Sequence, residues 1–121
     1  MKHEKMELTK AEEQIMQVLW NIKKGFVKEI LAELPEPKPA YNTVSTIVRI
    51  LVEKKFVGYN AFGKSHQYYP LIEKSEYSKE QVNTIVSRFF DNSPKRLLAY
   101  LVKSDKLNVE DLDEIMKQLN K

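Results

Sequence analysis

Cysteine is absent from the 121 residues, and glycine (three), histidine (two) and tryptophan (one) are scarce. Without thiols, neither a disulfide framework nor a thiolate metal site can supplement the core. The glycines Gly25, Gly58 and Gly63 are dispersed, so there is no glycine-rich loop to cradle a nucleotide phosphate. No uncharged stretch approaches the ~20 residues that a membrane-spanning helix needs. The amino terminus, MKHEKMELTKAEE, lacks the apolar run of a secretory signal, and a soluble cytoplasmic protein is expected. Metal-ligand spacings and nucleophile–base clusters are missing too. The carboxylate pairs Asp111/Asp113 and Glu110/Glu114 fall at the start of an acidic helical segment, where they favour the helix dipole rather than acid–base chemistry. The expectation is therefore a non-enzyme with no cofactor and no metal.

What the chain does have is charge placed unevenly. Lys plus Arg outnumber Asp plus Glu by 20 to 17, and the excess lies in residues 1–72, with 11 basic and 8 acidic side chains, whereas residues 73–121 balance at 9 and 9. Between Lys38 and His66 the basic residues Lys38, Arg49, Lys54, Lys55 and Lys64 face a single acid, Glu53. At 14.2 kDa the chain supports one modest core, or a small domain with an extension.

Hydrophobic periodicity assigns the elements. Leu8, Ala11, Ile15, Val18, Leu19 and Ile22 recur at spacings of three and four, the mark of a helix with one buried face. Thr9 and Glu12 form a capping-box pattern at its start, and Met16 and Trp20 widen the stripe. Val27 to Leu34 reads as a short second helix, stopped by PEPKP at 35–39. A third helix follows with Asn42 or Thr43 as its cap and Val44, Ile47, Val48 and Leu51 inward. From Phe56 to Leu71 the period changes to two, with a break at AFGKS, which reads as a β-hairpin with Lys64 at its tip and His66 just beyond. Met16, Trp20 and the tyrosines are expected in the core. Residues 73–121 read as three further helices, with Ser93 and Asn108 as natural starts.

Three helices followed by a two-stranded wing is the order of a winged helix-turn-helix domain. The fold class expected is mainly α: a winged helix-turn-helix over residues 1–72, then a three-helix dimerisation tail over 73–121. On the third helix Asn42, Ser45, Thr46 and Arg49 fall at i, i+3, i+4 and i+7, giving a strip of short hydrogen-bonding groups and one guanidinium. Such a strip suits the major groove of double-stranded DNA. Arg49 matches guanine, Asn42 matches adenine, and the methyls of Thr43 or Thr46 match thymine. Lys54, Lys55, Lys64 and protonated His66 suit flanking phosphates. A winged helix used only for protein contacts is the alternative, and the polar face with Arg49 argues against it.

Three amphipathic helices in 49 residues cannot bury all their apolar faces against one another. For a reader of duplex DNA the economical partner is a second copy, because twofold symmetry sets two reading helices one turn apart on a palindromic operator. Phe89, Phe90, Leu97, Leu101, Leu112 and Met116 are expected among the homodimer contacts.

LTKAEEQIMQVLW at 8–20, VKEILAEL, YNTVSTIVRILVEKKFV at 41–57 and YYPLIEKSEY at 68–77 resemble the penicillinase-repressor (BlaI/MecI/CopY) family of bacterial regulators across nearly the whole chain. Within that pattern Thr43, Val44, Thr46, Arg49, Ile50 and Lys54 carry most of the likeness. The resemblance implies a dimeric winged-helix repressor on palindromic operators, released by a signal. In the β-lactam-responsive branch a sensor-linked protease system triggers cleavage at an Asn-Phe pair in the tail's second helix; by position that pair corresponds to Tyr100 and Leu101, which differ from it. In the copper-responsive branch carboxy-terminal cysteines bind metal. This chain has no cysteine, and its histidines, His3 and His66, cannot replace that ligand set.

Overall fold

The computed structural model describes residues 7–120. Its elements are α1 (Lys10–Ile22), α2 (Val27–Glu33), α3 (Tyr41–Glu53), β1 (Val57–Phe62), β2 (Ser65–Pro70), α4 (Lys74–Phe89), α5 (Pro94–Lys103) and α6 (Val109–Leu119). His3 lies outside the described residues. Among the described residues no helix is long and apolar enough to cross a membrane.

Helix α1 starts at the expected capping box: the Thr9 hydroxyl accepts from the Glu12 amide at 3.1 Å, and the Glu12 carboxylate accepts from the Thr9 amide at 2.9 Å. Its inward face, Ile15, Met16 and Leu19, meets Val27 and Ile30 from α2, Leu34 at the C-cap of α2, and Val44, Val48 and Leu51 from α3 in one buried cluster. Phe56, Val57, Tyr68, Ile72 and Tyr77 complete that cluster, so the hairpin and the start of α4 share the core of the three helices. The Trp20 indole N–H donates to the Ile72 carbonyl at 2.8 Å, and its ring lies 5.7 Å from that of Tyr77. The tyrosines divide, against expectation. Tyr68 and Tyr77 are buried, whereas Tyr41, Tyr59 and Tyr100 remain about half exposed, because each is covered on one side only.

Helix α3 also corrects the expected cap. Its N-cap is Ala40, with extended backbone and no capping side chain. Asn42 and Thr43 therefore occupy the first helical turn, with both side chains exposed. At the other end Lys55 takes the left-handed conformation (φ 68°). Its amide donates to the Val52 carbonyl and that of Phe56 to the Leu51 carbonyl, the paired bonds of a Schellman stop, where glycine is usual.

Strands β1 and β2 pair antiparallel from Val57↔Pro70 to Phe62↔Ser65, leaving Gly63 and Lys64 as a two-residue turn, tighter than the expected AFGKS break. Gly63 has φ +63°, the conformation a hairpin turn demands of its first central residue. Gly25, between α1 and α2, bridges Tyr68 through two backbone bonds, its amide to the Tyr68 carbonyl at 2.9 Å and the Tyr68 amide to its carbonyl at 2.8 Å. The wing is thus stitched by main chain to the helices.

The chain divides into two compact units, the first ending at Ser78 and the second starting at Lys79. In the second unit α5 is capped by Ser93, with Pro94 at its first turn, and α6 by Asn108 in a capping box with Asp111. Neither α5 nor α6 contains a fully buried residue. The Phe90 and Tyr100 rings meet at 5.6 Å.

Candidate nucleic-acid interface

Because Val44, Val48 and Leu51 lock one side of α3 into the core, the opposite side faces outward. Asn42, Thr43, Thr46 and Arg49 are exposed there and Ser45 is half-buried. The first turn of α3 has no acidic residue. The Arg49 guanidinium makes a long, 3.5 Å contact with the Ser45 hydroxyl, the i, i−4 neighbour on the same strip. Burial pushes the Tyr68 phenol above its ordinary pKa, and the positive charge of Arg49 acts in the opposite direction.

Between α2, the start of α3 and the hairpin lies an open groove of about 640 Å³. Tyr41 and Ser45 line it from α3, Phe62, Lys64, Ser65, His66 and Tyr68 from the wing, and Phe26, Val27, Lys28 and Glu29 from α2 and its cap. His66 stacks on Tyr59 at 4.2 Å, nearly parallel, so its ring is positioned by the adjacent strand. Lys64 occupies the turn, next to a Gly63 that has nothing within 4 Å of a Cβ position. Ser45, Lys64 and His66 are thus brought to one groove, and Asn42, Thr43, Thr46 and Arg49 to one helix face.

Besides Arg49, two more of the five basic residues counted between Lys38 and His66 have intramolecular partners. Lys38 donates to the carbonyls of Leu31, Ala32 and Leu34 at 3.3, 3.0 and 2.6 Å, closing the end of α2. Lys54 is held on the Glu12 carboxylate at 2.7 Å, across 42 residues of sequence. Burial raises the Glu12 pKa, but the hydrogen bonds from Lys54 and Thr9 and the Lys54 charge outweigh it, and the net shift is downward. Lys54, expected among the phosphate contacts, is in the free chain a strut from the C-cap of α3 to α1. The only signal for this was Glu12 itself, already engaged as a capping residue. Tyr41, Phe26 and Lys28 were missed as groove residues, since their alignment depends on how α2 and the hairpin converge.

In the tail, Phe89 (72% exposed) and Met116 (55%) are open to solvent, while Phe90, Leu97, Leu101 and Leu112 are partly covered. Tyr100 is exposed and Leu101 partly covered, both within α5.

Three helices on one core, a wing tied to them, and a helix with a buried apolar side and an exposed polar, acid-poor side define a winged helix-turn-helix protein. The family model for the penicillinase repressor matches residues 8–121. The chain belongs to that family, whose members are DNA-binding transcriptional repressors and not enzymes. Among its relatives are the methicillin resistance regulatory protein MecI of Staphylococcus aureus (strain N315), 24% identical over 116 residues covering 95% of this chain and 94% of that protein, and the penicillinase repressor of Bacillus licheniformis, 22% identical over 114 residues covering 93% and 89%. A solved CopR repressor structure aligns at 32% identity and a TM-score of 0.47, covering 55% of this chain and 99% of that one.

Proposed function

We propose that the chain is a homodimeric repressor that reads a palindromic operator with the outer face of α3 and leaves it when a signal undoes the dimer. The observation that carries this reading is the strip Asn42, Thr43, Ser45, Thr46 and Arg49, held outward by a helix whose other side is buried. Arg49 forms paired hydrogen bonds to guanine, Asn42 to adenine, and the threonine methyls pack on thymine. Lys64 and His66 contact phosphates from the wing, fixing register without reading sequence. Lys54 supports the strip by anchoring α3 to Glu12, and reaches a phosphate only by leaving that partner.

Exposed apolar residues in the tail, Phe89, Leu98, Ile115, Met116 and Leu119, support a second copy as the missing cover, with Phe90, Leu97, Leu101 and Leu112 at its edge. Joining two reading heads makes the second contact intramolecular and raises affinity for the paired site. Proteolysis in α5 by a sensor-linked protease, with Tyr100–Leu101 at the family position, is one way of removing that advantage. It requires α5 to unwind locally, since the bond lies inside a helix.

Selection of bound sequences from a random duplex pool, together with light scattering of the free and bound protein, tests the reading. A recovered inverted repeat and a dimeric mass are the expected results. Enrichment of no sequence, or a monomer at micromolar concentration on the selected duplex, refutes it.

A further inference from the structure

Helix α2 begins with Phe26 at its N-cap, without a side-chain cap hydrogen bond. That position strongly favours Ser, Thr, Asp or Asn, whose oxygen accepts from an otherwise unpaired amide. Only the reverse half of the usual arrangement is available: the Glu29 carboxylate accepts from the Phe26 amide at 2.9 Å. The phenyl ring itself goes elsewhere. It lies 5.9 Å from the ring of Phe62, edge to face, a favoured geometry for an aromatic pair. Phe62 is 55% exposed and is the last residue of β1, directly before the Gly63–Lys64 turn.

The main-chain bridge to Gly25 holds the wing at Tyr68, paired with Tyr59; Phe62↔Ser65 lies three register pairs further out. At the turn itself Gly63 is in open space. The aromatic contact therefore adds a tie between the outer wing and the helical body. It also lines the same groove as Lys28, Lys64, Tyr41 and Ser45. In that groove two lysines outnumber the single acid, Glu29, whose carboxylate is already engaged with the Phe26 amide.

We propose that Phe26 and Phe62 form a clasp that positions Lys64 for the sugar–phosphate strand running between α3 and the wing. The inference rests on the DNA-reading proposal above. Phe26 and Phe62 are positioning residues: they act through Lys64, while Lys28 and Lys64 supply the charge and the hydroxyls of Tyr41 and Ser45 supply neutral donors to the same strand. An aromatic pair of this kind has a strength that corresponds to about 2- to 10-fold in a binding constant.

The test measures affinity of the full chain for a random-sequence 30-base-pair duplex across a salt series, for the unaltered protein, Phe26→Ala, Phe62→Ala, Phe62→Leu, Lys64→Ala and the Phe62→Ala/Lys64→Ala double variant. Salt-dependent binding by the unaltered protein establishes duplex contact; its absence sinks the underlying reading and is distinct from failure of the clasp. With binding present, Phe26→Ala and Phe62→Ala each weaken it about 2- to 10-fold and lower the salt slope by up to ~0.9 per bound chain, the share of one phosphate contact. Phe62→Leu restores part of the loss. Adding Phe62→Ala to Lys64→Ala changes nothing further. The clasp is overturned if Phe26→Ala binds normally while Phe62→Ala does not, which would make Phe62 a direct wedge in the duplex. It is equally overturned if the losses from Phe62→Ala and Lys64→Ala multiply. Melting temperatures of the free variants, expected to fall by only about a few degrees because the pair is partly solvated, separate misfolding from repositioning.

Discussion

Replacing Glu12 by glutamine isolates the strut between α1 and α3. Glutamine keeps the capping-box bond to the Thr9 amide, because its carbonyl accepts in the same place, and still accepts from Lys54; only the charge is lost. The Lys54 side chain is 37% exposed and that of Glu12 7%, so solvent screens the pair, and its loss costs about 1 kcal/mol, the upper end for exposed pairs. Lys54→Ala is worse, about 2 kcal/mol, because it leaves a nearly buried carboxylate without its cation. The double variant costs less than the sum, with a coupling of about 1 kcal/mol. The pH dependence has a definite sign. Glu12 titrates below its ordinary value of 4.5 in the folded chain, so its stabilisation is complete above that value and drains away as pH falls through the lower, folded-state value. Urea midpoints measured from pH 7 down to pH 3 should show the gap between the unaltered protein and Glu12→Gln closing below about pH 4.5. A gap constant to pH 3, or strictly additive single and double variants, refutes the strut.

Arg49→Ala should cost about 1 to 3 kcal/mol on the selected duplex and relax preference at one base, read by competition binding against single-base variants. Lys64→Ala should instead weaken selected and random duplexes alike, with a shallower salt dependence. Met116→Lys places a charge on the exposed apolar side of α6 and should shift the light-scattering mass toward the monomer while leaving the circular dichroism of the first unit's helices intact. Lys55→Gly should raise stability by up to about 1 kcal/mol, because a left-handed residue with a Cβ is strained by ~1–2 kcal/mol and glycine's extra unfolded entropy returns part of that; chemical denaturation checks it. Leu51→Ala, in the fully buried face of α3, should cost about 2 to 5 kcal/mol by the same assay.

The local parts of this fold were legible because local chemistry specifies them. Thr9 and Glu12 mark the start of α1, Ser93 and Asn108 mark α5 and α6, and the alternating residues around Gly63 mark the hairpin. The start of α3 was misread for a physical reason. Asn42 and Thr43 are good caps in isolation, but Ala40 already adopts the extended cap backbone after Pro39, and the helix begins before either polar residue. The outward strip on α3 followed from the helical period alone. The partners of the lysines did not. Whether Lys38 serves the end of α2 and Lys54 serves Glu12, or either faces a phosphate, depends on distances set only when three helices close on one core. Sequence composition counts charges without saying which are already spent.

Two backbone bonds between Gly25 and Tyr68, and one from the Leu71 amide to the Phe56 carbonyl at 2.8 Å, give the head the character of a fixed caliper. One jaw is α3 and the other is the base of the wing, which is held by these peptide groups together with the side chains of the shared core. Exposed residues along either jaw can therefore be exchanged while the gauge of the instrument stays the same.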